Sequence, residues 1–254
     1  MSTGPKATIS AARFDAVVFD MDGVVTQTAT VHAAAWKALF DAFLEERALL
    51  TDEPFRPFDI EADYLPYVDG KARYDGVRDF LASRSIVLPW GSPSDPPDSE
   101  TVCGLGNRKN DYFLRAVAEH GVQPFPTTVA LIARLREAGV GTAVISASKN
   151  TTAILNAAGV AGLFAAQVDG TVAERLGLPG KPDPAVFVEA ARRLGVAPPR
   201  AVVVEDAEAG VAAGHAGGFG LVIGVDRSDH AQALRQHGAD VVVKDLGEVT
   251  VVPR

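Results

Sequence analysis

"FDAVVFDMDGVV", residues 14–25, is the stretch on which the fold of this 254-residue chain turns. Its first half is a short apolar run rich in valine. Such runs suit strands buried on both faces of a parallel sheet. The run ends in Asp20 and Asp22, two carboxylates two positions apart, followed by Gly23. Like charges repel, so the pair requires a reason. One is a strand-end cap in which Asp22-Gly23 makes a turn. The other is a pair that performs chemistry.

Outward from this stretch, apolar runs recur at 140–145, 201–204, 219–225 and 239–243. Helical patterns separate them. "TTVALIARLREAG" (127–139) stops at Gly139, and "DPAVFVEAARRLG" (183–195) has Pro184 in its first turn and Gly195 at its end. Strand alternating with helix predicts βαβ units and an α/β fold with a parallel sheet. Residues 28–123 have a different texture. "TATVHAAAWKALFDAFLEERALL" (28–50) is a long amphipathic helix whose stripe is Trp36, Leu39, Phe40, Phe43 and Leu44, with Thr28 or Thr30 to cap it. "RYDGVRDFLASR" and "RKNDYFLRAVAEHG" are further helical segments. An all-helical insertion over 28–123 is therefore expected, within an α/β core of 14–27 and 124–254. "LPWGSPSDPPDSETVCGLGN" (88–107) reads as a loop inside the insertion, with an interdomain linker as the alternative. Residues 1–13 read as a short flexible tail.

The formal net charge is −8, and the insertion carries most of it, with 10 Lys+Arg against 16 Asp+Glu. That balance argues against broad nucleic-acid or anionic-membrane binding, which uses basic surfaces. One cysteine, Cys103, excludes an internal disulfide. With no apolar signal segment and no run of about 18 apolar residues, a soluble cytoplasmic protein is expected.

Parallel α/β sheets bind ligands at the carboxyl ends of their strands. Four polar clusters fall there: Asp20 and Asp22, Ser146 with "ASKN" after it, Lys181 in "GLPGKPDP", and Glu205-Asp206. The carboxylates make an oxygen-rich site suited to Mg²⁺. Lys181 offers a point charge for phosphate or for a carboxylate, and the Ser146 hydroxyl and nearby N–H groups can hold phosphate oxygens. Phosphoryl transfer needs this combination, because its catalysis is mostly positioning and charge neutralisation. Each element also has a simpler reading: Ser146 as a helix N-cap, Lys181 as a surface lysine, and Glu205-Asp206 as favourable charge at a helix start.

Together "DMDGVVT", "ISAS", "GKPDP" and "VVEDAEAG" resemble the four motifs of the haloacid dehalogenase superfamily of aspartate-nucleophile phosphotransferases. "DGVVTQTATVHAAAWKALF", "RKNDYF" and "SASKN" are most similar to its β-phosphoglucomutases. The resemblance implies a Rossmann-like core with an inserted all-helical cap domain. It implies Asp20 as nucleophile and Asp22 as general acid/base. Asp20, the Asp22 backbone carbonyl, Glu205 and Asp206 match Mg²⁺ ligands. Ser146, Ala147 through its N–H, and Lys181 match the site of the transferring phosphate. Arg73 in "DGKARYDG" matches a clamp on a second phosphate, with Ser148, Lys149 and Asn150 on that distal side. His32 and Lys109 match cap residues linked to substrate binding and closure, and Thr28 lies at the hinge. From the residues alone, Arg73 is equally a surface arginine at a helix start, His32 a structural histidine, and Lys109 and Asn110 polar helix-start residues. Gln27 departs from the many relatives that carry an acid there.

The implied function is interconversion of β-glucose 1-phosphate and glucose 6-phosphate through a 1,6-bisphosphate. A monomer is expected, acting on a small sugar phosphate after a disaccharide phosphorylase. The rival readings are a sugar-phosphate phosphatase and a non-catalytic phosphosugar-binding protein. A dehalogenase is disfavoured because carbon–halogen displacement needs neither the acid nor the paired carboxylates. A nicotinamide-dependent dehydrogenase is disfavoured because no strand is followed by G-x-G-x-x-G.

Overall fold

A computed structural model describes residues 7–51 and 54–254, which divide into two compact units at Gln27/Thr28 and Gly121/Val122. In chain order the elements are β1 (Ala7–Ser10), β2 (Ala16–Asp20), α1 (Ala29–Thr51), α2 (Tyr64–Tyr67), α3 (Arg73–Ser83) and α4 (Val102–His120). There follow α5 (Pro126–Glu137), β3 (Gly141–Ile145), α6 (Thr151–Ala157), β4 (Ala166–Val168), α7 (Gly170–Leu176) and α8 (Ala185–Arg193). The chain closes with β5 (Ala201–Glu205), α9 (Glu208–Ala216), β6 (Leu221–Val225), α10 (Ala231–Gln236), β7 (Val241–Val243) and β8 (Val249–Val252).

The α/β unit is built on a six-stranded sheet, ordered β4-β3-β2-β5-β6-β7, in which every pair is parallel. All five residues of β2 and all five of β5 are buried, as strands covered on both faces must be. One covering layer includes α8, whose Val186, Phe187, Ala190 and Ala191 share a core with Val18, Ile145 and Val203. From β2 the chain runs outward through β3 to β4, then returns to the other side of β2 for β5, β6 and β7. The strand order thus reverses at β2, and its carboxyl end is the switch point where such sheets bind ligands.

Ala7–Ser10, within the expected flexible tail, instead form β1, which pairs in parallel with β8, Ala7 opposite Val249 and Ser10 opposite Val252. Ala7 and Ile9 are buried between exposed or half-buried neighbours. The partner strand lies at the far end of the chain, so no local pattern announces the pairing. Residues 1–6 of that expected tail lie outside the described residues. Strand β4 also lacks an apolar run; it is three residues at the sheet edge, held by pairing with β3.

The helical unit, Thr28–Gly121, contains α1 to α4 and no strand among its described residues. Its core is the expected stripe of Trp36, Leu39, Phe40, Phe43 and Leu44, joined by Phe58, Phe80, Leu81 and Leu105. Phe40 lies 4.0 Å from Phe80 and 5.3 Å from Trp36, centroid to centroid. Helix α4 begins earlier than expected and absorbs 102–107 of the supposed loop. Thr101 caps it, its hydroxyl accepting from the Gly104 N–H at 2.9 Å. The glycines that suggested a loop serve packing: a Cβ on Gly106 would lie 2.6 Å from the Tyr74 ring. No described helix is long and apolar enough to cross a membrane.

Candidate active site

Strand β2 delivers Asp20 at its carboxyl end, opposite Ile145 of β3, while β5 beside it ends at Glu205. Asp20 is 5% exposed and Glu205 is fully buried. The Lys181 ammonium joins them, 2.5 Å from Asp20 Oδ1 and 2.7 Å from Glu205 Oε2. The other Glu205 oxygen accepts from the N–H groups of Asp206 at 3.1 Å and Ala207 at 3.0 Å. Glu205 is thereby fixed at both oxygens.

The turn after β2 places Asp22. Met21 O accepts from the N–H groups of Val25 and Thr26, each at 2.9 Å, and Gly23 N–H donates to Thr26 O at 2.9 Å. Gly23 has φ +80°, a left-handed conformation suited to glycine. The Ser146 hydroxyl donates to Asp22 Oδ2 at 3.2 Å and accepts from the Ser148 N–H at 3.0 Å. Ser146 therefore organises its own loop and reaches Asp22; Asn150, not Ser146, holds the N-cap position of α6. Ala147 and Lys149 lie in the same loop, where the Ala147 carbonyl packs against Gly170. Asn150 N–H donates to Ser148 Oγ at 3.1 Å, and Lys149 pairs with Glu174 of α7 at 2.7 Å.

Asp20, Glu205 and Asp206 offer carboxylate oxygens within 4.8 Å of one another. All-oxygen donors suit a hard cation such as Mg²⁺. The electrostatics favour the same fit. Burial pushes the Asp20 carboxyl well above the usual carboxylate range, the charge of Glu205 adds to this, and Lys181 opposes it. Burial alone would push the Lys181 ammonium down. The charges of Asp20 and Glu205 and its hydrogen bonds to both outweigh that and hold it above the ordinary lysine value. One fixed cation thus faces an excess of buried negative charge, which a divalent ion would neutralise.

In the helical unit, the Lys109 ammonium lies 2.5 Å from His32 Nδ1, and 4.9 Å and 5.0 Å from the centroids of Trp36 and Phe113. His32 stacks on Phe113 at 4.0 Å. Arg73, the first residue of α3, donates to Asn110 Oδ1 at 2.8 Å, and burial lowers its pKa. These two pairs meet at consecutive residues of α4, Lys109 and Asn110. Thr28 is buried, and its carbonyl accepts the His32 N–H at 2.8 Å, so it occupies the N-cap position of α1 rather than Thr30.

Two residues that the sequence reading passed over touch the acidic loops. Arg227 Nε donates to Gly23 O at 2.9 Å, and His230 Nε2 lies 3.0 Å from Asp206 O. Both follow β6, "LVIGV", in "DRSDH". The strand-end rule that found Asp20 and Glu205 would have found them too.

A family model for haloacid dehalogenase-like hydrolases matches residues 14–218. A β-phosphoglucomutase of Mycobacterium bovis is 51% identical over 237 residues, 92% of this chain and 90% of its own. A trehalose-phosphate phosphatase of Mycobacterium leprae is 43% identical over 132 residues, 50% of this chain and 29% of its own. The crystal structure of a β-phosphoglucomutase from Clostridium difficile has the same fold, with a TM-score of 0.73 at 23% identity, covering 92% of each chain. The chain belongs to the haloacid dehalogenase superfamily and, within it, to the β-phosphoglucomutase family.

Proposed function

We propose that this protein is a Mg²⁺-dependent β-phosphoglucomutase, interconverting β-glucose 1-phosphate and glucose 6-phosphate through enzyme-bound glucose 1,6-bisphosphate. The observation that carries the reading is the Lys181 ammonium bridging Asp20 and Glu205 beside Asp206, with Asp22 hydrogen-bonded to Ser146. The 51% identical β-phosphoglucomutase supports the choice of reaction.

Asp20 is the nucleophile. Its carboxylate oxygen attacks phosphorus, the P–O bond to the sugar breaks, and an aspartyl-phosphate forms. Asp22 gives a proton to the departing sugar oxygen and, in the return transfer, removes one from the attacking hydroxyl. The Ser146 hydroxyl orients the Asp22 carboxyl for both steps. Lys181, Ser146 and the Ala147 N–H hold the transferring phosphate. Asp20, Asp206, Glu205 and the Asp22 carbonyl would hold the Mg²⁺, which would supply charge neutralisation for the phosphoryl oxygens. Ser148, Lys149 and Asn150 serve the distal side of the substrate. In the helical unit, Arg73 grips the second phosphate with a planar fork suited to bidentate binding, while Lys109 and His32 contribute polar contacts and Thr28 anchors the start of α1. The protein acts as a cytoplasmic monomer, downstream of a disaccharide phosphorylase.

The phosphatase reading is favoured by the partial likeness to a trehalose-phosphate phosphatase. One assay separates the two. With Mg²⁺ and a trace of glucose 1,6-bisphosphate, phosphorus NMR should show β-glucose 1-phosphate becoming glucose 6-phosphate without stoichiometric inorganic phosphate. Inorganic phosphate as the main product would sink the mutase reading. Asp20→Asn should lower either activity by about 10⁴-fold or more.

A further inference from the structure

We infer that Arg227 and His230, in the loop after β6, are positioning residues that hold the two acidic loops of the active site in register. The inference rests on the metal site proposed above and deepens it. The loops after β2 and β5 carry Asp22 and Asp206, and neither is held in place by the sheet itself beyond the strand ends. Arg227 Nε donates to the carbonyl of Gly23, the residue after Asp22, at 2.9 Å. His230 Nε2 lies 3.0 Å from the carbonyl of Asp206. A carbonyl can only accept, so this ring nitrogen carries the proton. One five-residue loop therefore grips both acidic loops through their backbones.

The gripping loop is itself fixed. Asp226 N–H donates to Val243 O at 2.8 Å, and Asp226 Oδ1 accepts the His230 N–H at 2.8 Å. Asp226 Oδ1 also lies 3.5 Å from His230 Nδ1, which is buried without a hydrogen bond among the described residues, so the ring is held through Nε2. The Arg227 guanidinium sits 3.8 Å from the centroid of Phe125, and its Nη1 reaches Lys244 O at 3.4 Å and Asp245 at 3.9 Å. Burial lowers the Arg227 pKa, while the charges of Asp206 and Asp245 raise it. Its Nη2 is buried with no hydrogen-bond partner among the described residues.

A partly buried arginine that leaves one buried donor unsatisfied is a poor device for stability alone. A methionine there would pack on Phe125 without that cost. The arrangement is instead that of outer residues which orient metal ligands. Such residues shift metal affinity by about 10- to 100-fold when removed. The geometry couples the two grips, because the Asp206 carboxylate packs directly against Gly23.

The test uses the full chain, with Mg²⁺ alone as the probe in calorimetric titration. Arg227→Met keeps the stem over Phe125 and removes the donor; His230→Leu removes the ring donor; His230→Gln restores an N–H at similar reach. Each of the first two should weaken Mg²⁺ binding by about 10-fold or more and lower kcat, with KM for the sugar phosphate little changed. His230→Gln should recover most of both losses. Circular dichroism checks folding, and should Arg227→Met unfold, the His230 pair decides. Equal Mg²⁺ affinity in wild type, Arg227→Met and His230→Leu would overturn the positioning role alone. So would a His230→Gln variant no better than His230→Leu. Wild-type protein that binds no Mg²⁺ would overturn the metal reading, and this role with it.

Discussion

Gly23 vacates the space that Asp206 fills. A Cβ built on Gly23 would lie 1.8 Å from Asp206 Oδ2 and 2.6 Å from its Cγ. Residue 23 therefore has two reasons to be glycine: its φ of +80° and the carboxylate pressed against it. The same close approach recurs at Gly210, where a Cβ would lie 2.0 Å from Glu205 Oε2. Gly23→Ala should displace Asp206 and cut phosphoryl-transfer activity by about 10-fold or more. Gly139→Ala is the control. It shares a left-handed φ of +73° but has nothing within 4 Å of its Cβ, so it should lose only about 1–2 kcal/mol of stability in urea unfolding.

Lys181 is the only ammonium placed between Asp20 and Glu205 among the described residues. Lys181→Met would leave two buried carboxylates without their partner. Breaking a buried pair from one side costs about 3–5 kcal/mol. Urea unfolding without metal should show a loss of this size, and added Mg²⁺ should restore part of it. Phosphoryl transfer should be lost even in the metal-loaded variant, because the transferring phosphate would lack its fixed positive charge.

Arg73→Ala separates the two phosphate sites. The proposed role of Arg73 is on the second phosphate, so the mutase reaction should suffer by about 10-fold or more. Hydrolysis of a small aryl phosphate, which has one phosphate, should change little. Equal losses with both substrates would remove Arg73 from the holding role.

Glu189 on α8 accepts from Arg192 at 2.6 Å and from Arg193 at 2.8 Å. These hydrogen bonds lower its pKa from 4.5 to about 2. A depressed carboxylate contributes stability that is fully present above its unfolded pKa. The contribution is lost as pH falls toward the folded value. Unfolding midpoints of the wild type should therefore drop between pH 4.5 and about 2 more steeply than those of Glu189→Gln. Arg192 is well exposed, so solvent screening keeps the difference modest.

The strands β2, β3, β5 and β6 were legible in the sequence because a strand buried on both faces must be apolar throughout. The residues at their ends were legible for a related reason: a carboxylate that closes such an apolar run stands out against it and, being buried there, needs a partner. The apolar stripe of α1 likewise announced the helical unit. Edge strand β4, and β1 with β8, were not legible, since their stability lies in partners distant along the chain. Residues 102–107 misled because glycine signals a loop locally, while here Gly106 lets α4 approach Tyr74.

The layered α/β core, the helical insertion and the carboxylates at strand ends were readable along the chain, because burial and backbone geometry act within a few residues. Which charges meet is set by the folded arrangement. It brought Lys181 to Asp20 across 161 positions and His230 to Asp206 across 24, and seated the Asp206 carboxylate on Gly23. Coulomb attraction and desolvation depend on ångström distances in the fold, and no spacing along the chain encodes those.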